Sequence, residues 1–191
     1  MHTVLDQHPV IQQYHYEHIF TDRDRDEVIH TVRGIIASGN YFDEQHSPKY
    51  QTKENIFGRQ GAAFLKLRMT FITSCFLYLS KEVKIKGINA WSFMTKAQDQ
   101  LDRERLWHHH LPDNQQKKLS GIMYLHIPKD EHWDTAGTEY TFNYSTDRDT
   151  FFLRPQYRTW YIYPSEIYHR PGITSSKEDR FVVAADMEFI L

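Results

Sequence analysis

A single cysteine, Cys75, stands in the 191 residues, so no intrachain disulfide can form. It sits in a run from Phe64 to Leu79 whose apolar residues recur at helical spacing, where the ordinary reading is a buried structural thiol rather than a nucleophile. The first twenty residues lack the uninterrupted apolar stretch of a signal peptide, and no run approaches membrane-spanning length. The expectation is a cytoplasmic, soluble protein. Charge of one sign is lacking too. The formal net charge is −2, and the densest basic run, Lys81, Lys84 and Lys86, is diluted by Glu82. Because Glu82, Lys84 and Lys86 alternate with Val83 and Ile85, they read as the wet face of a strand. Binding driven by neutralising nucleic-acid phosphates is not indicated, although a polar nucleotide substrate is compatible. Internal repeats and low-complexity segments are absent as well.

What is present is enough apolar material for a real core: 40% of residues are hydrophobic and 15% aromatic. The length fits one domain over 1–191, with 1–80 as mainly helical support and 81–191 as the part that carries a site. Thr21 followed by Asp24 resembles a helix capping box, with Asp in place of the usual Glu or Gln. Val28, Ile29, Val32, Ile35 and Ile36 then follow at helical spacing, and Gly39 is a natural stop. A second helix is expected with Phe64, Leu65, Phe71, Ile72, Cys75, Phe76 and Leu79 on one broad face. After Lys81 the period changes. Val83, Ile85, Leu119–Pro128, Thr138–Tyr144, Thr159–Tyr163 and Arg180–Leu191 are rich in β-branched and aromatic residues. Helices first and strands later, without βαβ alternation, argue for an α+β fold: an antiparallel sheet or barrel with helices on one side.

Twelve histidines are more than such a chain usually carries. His2, His8, His15, His18, His30 and His46 lie in polar surroundings and are assigned to the surface; His126 and His132 flank a strand end and a polar loop. The run His108-His109-His110 differs, because an extended chain points His108 and His110 to one face and His109 to the other. Two imidazoles at i and i+2 can chelate one ion. His169, expected on the turn after a strand ending at Pro164, is a third candidate. Two ligands on one strand and one from a later strand is the layout of a facial metal site with open positions.

His108-His109-His110, Leu119–Leu125 with Pro128, Tyr161–His169 and Arg180 occur in an order and at separations that resemble the 2-oxoglutarate- and iron(II)-dependent oxygenase superfamily. The similarity covers about residues 105–188 and points to a small branch of bacterial and phage oxygenases with an H-x-H motif; Tyr50–Leu79 resembles that branch more weakly. The resemblance implies a double-stranded β-helix, a jelly-roll, cupin-like barrel with supporting N-terminal helices. It implies Fe(II) and 2-oxoglutarate as cofactors, O2 and a small-molecule substrate as partners, and hydroxylation of that small molecule or of an amino-acid side chain. His108 and His169 would be iron ligands, and Arg180 would grip the distal carboxylate of 2-oxoglutarate bidentately. Tyr124, sharing a face with Ser120 and Ile122 on simple alternation, would hydrogen-bond the same carboxylate.

Two departures bear on this. Most of the superfamily carries an acid two residues after the first ligand, where this chain has His110. Either His110 is itself a ligand, giving three neutral imidazoles, or it lies behind the metal and an acid arrives from Asp113, Glu139 or Asp186. Val182 also stands where many relatives have a Ser or Thr for the co-substrate carboxylate, a lost bond worth roughly 1.5–3 kcal/mol unless Tyr124, Tyr163 or Ser120 replaces it. Two other functions are compatible with the residues: a three-histidine iron dioxygenase that needs no keto acid, and a non-catalytic metal-stabilised barrel. Trp91, Trp107, Trp133, Trp160 and Tyr168 are candidate pocket residues, and 40–60 and 129–137 candidate lids.

Overall fold

The computed structural model of the chain describes residues 3–42, 49–95, 107–110, 117–128, 137–142, 149–172, 176 and 178–190. Asp113, His46, His132, Trp133, residues 43–48 of the first candidate lid and nearly all of the second fall outside these residues. Helix α1 spans Asp22–Ala37 and helix α2 spans Ala62–Leu79. The strands are β1 (Thr3–Leu5), β2 (Gln12–His15), β3 (Tyr41–Phe42), β4 (Lys49–Thr52), β5 (Lys84–Thr95), β6 (Lys118–His126), β7 (Thr138–Thr141), β8 (Thr150–Leu153), β9 (Thr159–Pro164), β10 (Tyr168–Pro171) and β11 (Arg180–Ile190). Among the described residues they form a seven-stranded sheet, β2-β9-β6-β11-β5-β4-β3, and a four-stranded sheet, β1-β8-β7-β10. The larger is antiparallel throughout, and the smaller is antiparallel except where β1 runs parallel to β8.

Alternation along the central strands divides the interior in two. Leu119, Met123 and Leu125 of β6, and Phe181, Val183, Ala185 and Met187 of β11, face the helices and pack with Val28, Val32, Phe64, Leu67 and Phe71. Their neighbours Ile122, Tyr124 and Val182 face the other way and pack with Tyr140, Phe151 and Leu153 of the smaller sheet. The order of layers is thus helices, large sheet, small sheet. The expected mixed α+β architecture is observed, with helices on one side.

Local sequence accounts for both helices. The Thr21 side chain accepts from the Asp24 amide, and the Asp24 carboxylate takes the Thr21 amide at 2.8 Å, completing the capping box. At the far end Gly39 adopts φ +78°, the left-handed conformation that stops a helix and suits glycine. Helix α2 is apolar on nearly all sides. Ala63, Phe64, Leu67, Phe71 and Cys75 are buried, whereas Leu65, expected on the inner face, is exposed beside Met69 and Leu77. By length and composition this helix is apolar enough to cross a membrane, which the sequence reading had excluded. Here one face is packed on the large sheet, with Tyr16 and Trp160 bonded to its Ser74 and Thr70. Gly121 of β6 permits this contact: a β-carbon there would lie 2.8 Å from the Phe71 ring of α2. Cys75 is the buried thiol expected, its pKa pushed up by burial and by the charge of Asp186.

The strands differ from expectation in number. Short β1 to β4, in the half read as helix and loop, join both sheets, and β8 and β10 also escaped the reading. Strand β10 matters most, because His169 lies on it and not on a turn.

One ion pair ties the helices together. Lys66 of α2 donates to Asp24 at 2.7 Å. Burial raises the Asp24 pKa, but hydrogen bonds from Lys66 and Thr21 outweigh it and hold the carboxyl below its usual range. A depressed folded-state pKa contributes stability that is present above the unfolded value of about 4 and lost as pH falls through the folded value. Because Lys66 is partly exposed, Asp24→Asn is expected to lower the Tm by only about 3 °C near neutral pH, roughly 1 kcal/mol. The gap to the parent protein should close as pH falls through the folded-state value, as followed by circular dichroism.

Candidate metal centre

Residues 107–110 lie antiparallel along β10. The His108 amide donates to the His169 carbonyl at 3.1 Å, the His169 amide returns the bond to His108 at 2.9 Å, and the His110 amide donates to the Ser165 carbonyl at 2.9 Å. This pairing makes the segment extended, so His108 and His110 project to the same side as His169. One nitrogen from each of the three lies within 4.8 Å of the others. His109 points away and meets Tyr168 edge-on at 4.8 Å between ring centres.

Hydrogen bonds fix which nitrogens remain. His169 Nδ1 lies 3.1 Å from the Ile167 carbonyl oxygen, and His110 Nδ1 lies 2.9 Å from Asp186 Oδ1. A carbonyl and an ionised carboxylate only accept, so in both rings Nδ1 carries the proton. The Nε2 lone pairs are left for a ligand, the arrangement by which a second group orients a metal-binding imidazole. The donor set therefore fits a divalent transition ion that accepts imidazole nitrogen.

The acids considered as alternative ligands sort by face. Glu139 pairs in register with Arg170 of β10, on the side opposite His169. Its carboxylate accepts from Arg170 Nε at 2.7 Å, and the same guanidinium covers the Trp107 ring at 4.1 Å. Three adjacent strands are thus clasped on their outer side by Glu139, Arg170 and Trp107. Asp186 does reach the centre, but behind His110. It also accepts from Ser120 Oγ at 2.7 Å and from Lys118 Nζ at 3.2 Å. Burial raises its pKa, yet the bond and charge of His110, with Ser120 and Lys118, bring it below the usual range.

From the histidines a run of buried tyrosines extends between the sheets towards Arg180. Tyr163 and Tyr140 stand next to His169, with ring centres 5.4 and 6.3 Å away. Both are fully buried, and neither hydroxyl has a hydrogen-bond partner of good geometry among the described residues, though Thr138 lies beside Tyr140. Burial raises both phenol pKa values, so each stays a donor. Tyr124, on the face with Ser120 and Ile122 as alternation requires, donates to Thr138 Oγ1 at 2.9 Å. Arg180, 3% exposed, donates to the Gly172 carbonyl at 3.2 Å. Its charge also lowers the Tyr124 pKa against the larger upward effect of burial.

Other candidates lie elsewhere. Trp91 leans on His110 at 5.3 Å, but Trp160 belongs to the helix-side core and Trp107 to the outer clasp. His8, assigned to the surface, is half-buried against the Phe142 and Phe151 rings, and burial lowers its pKa. His126 pairs with Glu178 at 3.1 Å. What sequence reasoning missed is the role of Tyr140: alternation along β7 would have set it inside, but no strand partner was known.

No protein-family profile and no curated protein matches the chain in sequence. Solved structures do match. A prolyl hydroxylase from Trichoplax adhaerens, in complex with a hypoxia inducible factor oxygen degradation domain peptide, has a TM-score of 0.64 at 14% identity, covering 94% of this chain and 83% of that one. A Pseudomonas putida prolyl-4-hydroxylase has a TM-score of 0.60 at 14% identity, covering 95% and 94%. The non-haem alpha-ketoglutarate-dependent carbocyclase SnoK from nogalamycin biosynthesis has a TM-score of 0.69 at 8% identity, covering 94% and 80%. The chain shares its fold with these oxygenases, and its H-x-H and distal histidine come together as a triad.

Removing Arg170 tests the clasp. Arg170→Met takes the cation from buried Glu139 and is expected to destabilise the protein by about 3 kcal/mol. Glu139→Gln combined with Arg170→Met should recover most of that loss in urea denaturation.

Proposed function

We propose that the chain is a cytoplasmic non-haem iron(II), 2-oxoglutarate-dependent oxygenase that hydroxylates a small molecule or an amino-acid side chain. On this reading residues 1–191 form one unit, and the two facing sheets are the double-stranded β-helix of that class. The observation that carries it is the pairing of two buried features between the sheets. Three imidazoles converge, two of them with Nε2 left free by the bonds at Nδ1, and a guanidinium lies further along the same interior.

His108, His110 and His169 would hold the iron. Bound iron(II) would supply the redox chemistry that couples decarboxylation of 2-oxoglutarate, to succinate and carbon dioxide, with insertion of one atom of O2 into a substrate C–H bond. The chain's own residues do the positioning. Arg180 neutralises the distal carboxylate in a place from which water is largely excluded, where a charge-assisted bond counts for most. Tyr124 would add a donor beside it by turning its O–H away from Thr138 Oγ1. Val182 leaves a donor missing, and Ser120 is not free to replace it, being bonded to Asp186 and Ser165. Tyr163 lies at the histidine end instead, where its enclosed, protonated hydroxyl would donate to a co-substrate group bound beside the metal. A dioxygenase without a keto acid would have no use for a buried arginine here, so the keto-acid reading is preferred.

Anaerobic addition of iron(II) and 2-oxoglutarate is expected to produce a visible charge-transfer band that His169→Ala abolishes. Absence of the band from the parent protein at saturating ligand would sink the proposal. Arg180→Met should raise the 2-oxoglutarate concentration for half-saturation by roughly 10–100-fold while leaving metal affinity unchanged. Tyr163→Phe should raise it by about tenfold.

A further inference from the structure

We propose that Asp186 is a positioning residue that acts through His110 to give the three-imidazole centre the negative charge its ligands lack. The inference rests on the iron reading above. Three neutral imidazoles leave a bound dication its full double charge, whereas a coordinating carboxylate would cancel one unit. Here a carboxylate stands one imidazole further out, with Oδ1 2.9 Å from His110 Nδ1. The proton on that nitrogen is shared with a buried anion, which makes the opposite nitrogen a stronger donor to metal. His169 differs, because its Nδ1 faces a neutral backbone carbonyl. Of these two rings, charge enters only through His110.

The surroundings hold this arrangement. Ser120 donates to the same Oδ1 at 2.7 Å and is itself 2.8 Å from Ser165 Oγ, so the carboxylate cannot turn away. Ser165 also anchors the His110 amide through its carbonyl, which fixes ring and carboxylate to one frame. Among the described residues Lys118 is the lysine or arginine paired with Asp186, and it engages the other oxygen, Oδ2, at 3.2 Å. Its side chain is 21% exposed against 9% for Asp186, so water screens it more than it screens the anion. The Trp91 ring against His110 further limits access of water to the pair.

The test uses Co(II) and Mn(II) affinity of the full-length, metal-free chain, measured by competition with a chelating dye, alongside the thermal stability of the same metal-free samples. Asp186→Asn keeps the shape and an acceptor for His110 but removes the charge, and is expected to weaken both metals 10–100-fold, about the range for lost outer partners of a metal ligand. His110→Asp with Asp186→Asn moves the carboxylate into direct contact with the metal and should bring affinity back to within about threefold of the parent. His110→Asp alone sets two carboxylates side by side and should not. A purely structural Asp186 predicts no rescue by the double variant. Asp186→Asn binding within twofold of the parent, or a double variant no tighter than Asp186→Asn, overturns the proposal. If the parent itself binds neither metal, the iron reading falls and this inference with it.

Discussion

Everything at the centre depends on a backbone pairing three residues long. The exchange of amide and carbonyl between His108 and His169, continued by His110 and Ser165, forces 107–110 into an extended conformation at the edge of β10. Without it an H-x-H sequence has no reason to place two rings on one side, and nothing brings them to a third histidine far along the chain. The side chains then reinforce what the backbone sets. Glu139, Arg170 and Trp107 clasp the same three strands from outside, while Tyr140 and the histidines occupy the inner side. One short register therefore separates a charged, packing face from a metal-binding one.

The interior behind that register is graded in charge. It begins at an anion, Asp186, passes three imidazoles and two enclosed phenols, and ends at a cation, Arg180. Both ends lie on β11 with the same parity, so a single strand sets their separation at about 20 Å between backbones. Such a gradient suits an elongated dianion held at one end by charge and at the other by a metal. It also places polar groups deep between two sheets, where only near-complete pairing makes them tolerable.

Much of this was legible in the sequence for reasons that are local. A capping box and a glycine stop are written in neighbouring residues, and α1 has both boundaries where Thr21 and Gly39 put them. Alternation sufficed to place Ser120, Ile122 and Tyr124 on one face of β6 and to bring His108 and His110 together. What was not legible depended on partners distant in the chain. Strand β10 has four residues, follows soon after Pro164 and ends on Pro171, and exists because 107–110 and β7 flank it. The contact from Asp186 to His110 follows from the stacking of sheets, which no local pattern encodes. Glu139 was a plausible ligand until its register with Arg170 turned it outward. Helix α2 was misjudged differently: its composition is apolar nearly all round, so periodicity alone could not say which side is covered.

The outermost strands carry a consequence for how the molecule comes into being. Strand β1, at Thr3–Leu5, has its parallel partner at Phe151–Leu153, and β2, at Gln12–His15, has its partner at Thr159–Ile162. During synthesis these first segments leave the ribosome long before the strands that complete them, and must wait unpaired while about 150 further residues are added. Helices α1 and α2 can form in that interval from local contacts, but the sheets between which the histidines converge cannot close. The metal centre thus cannot assemble before β10 has been made, and any ion it takes must arrive after that.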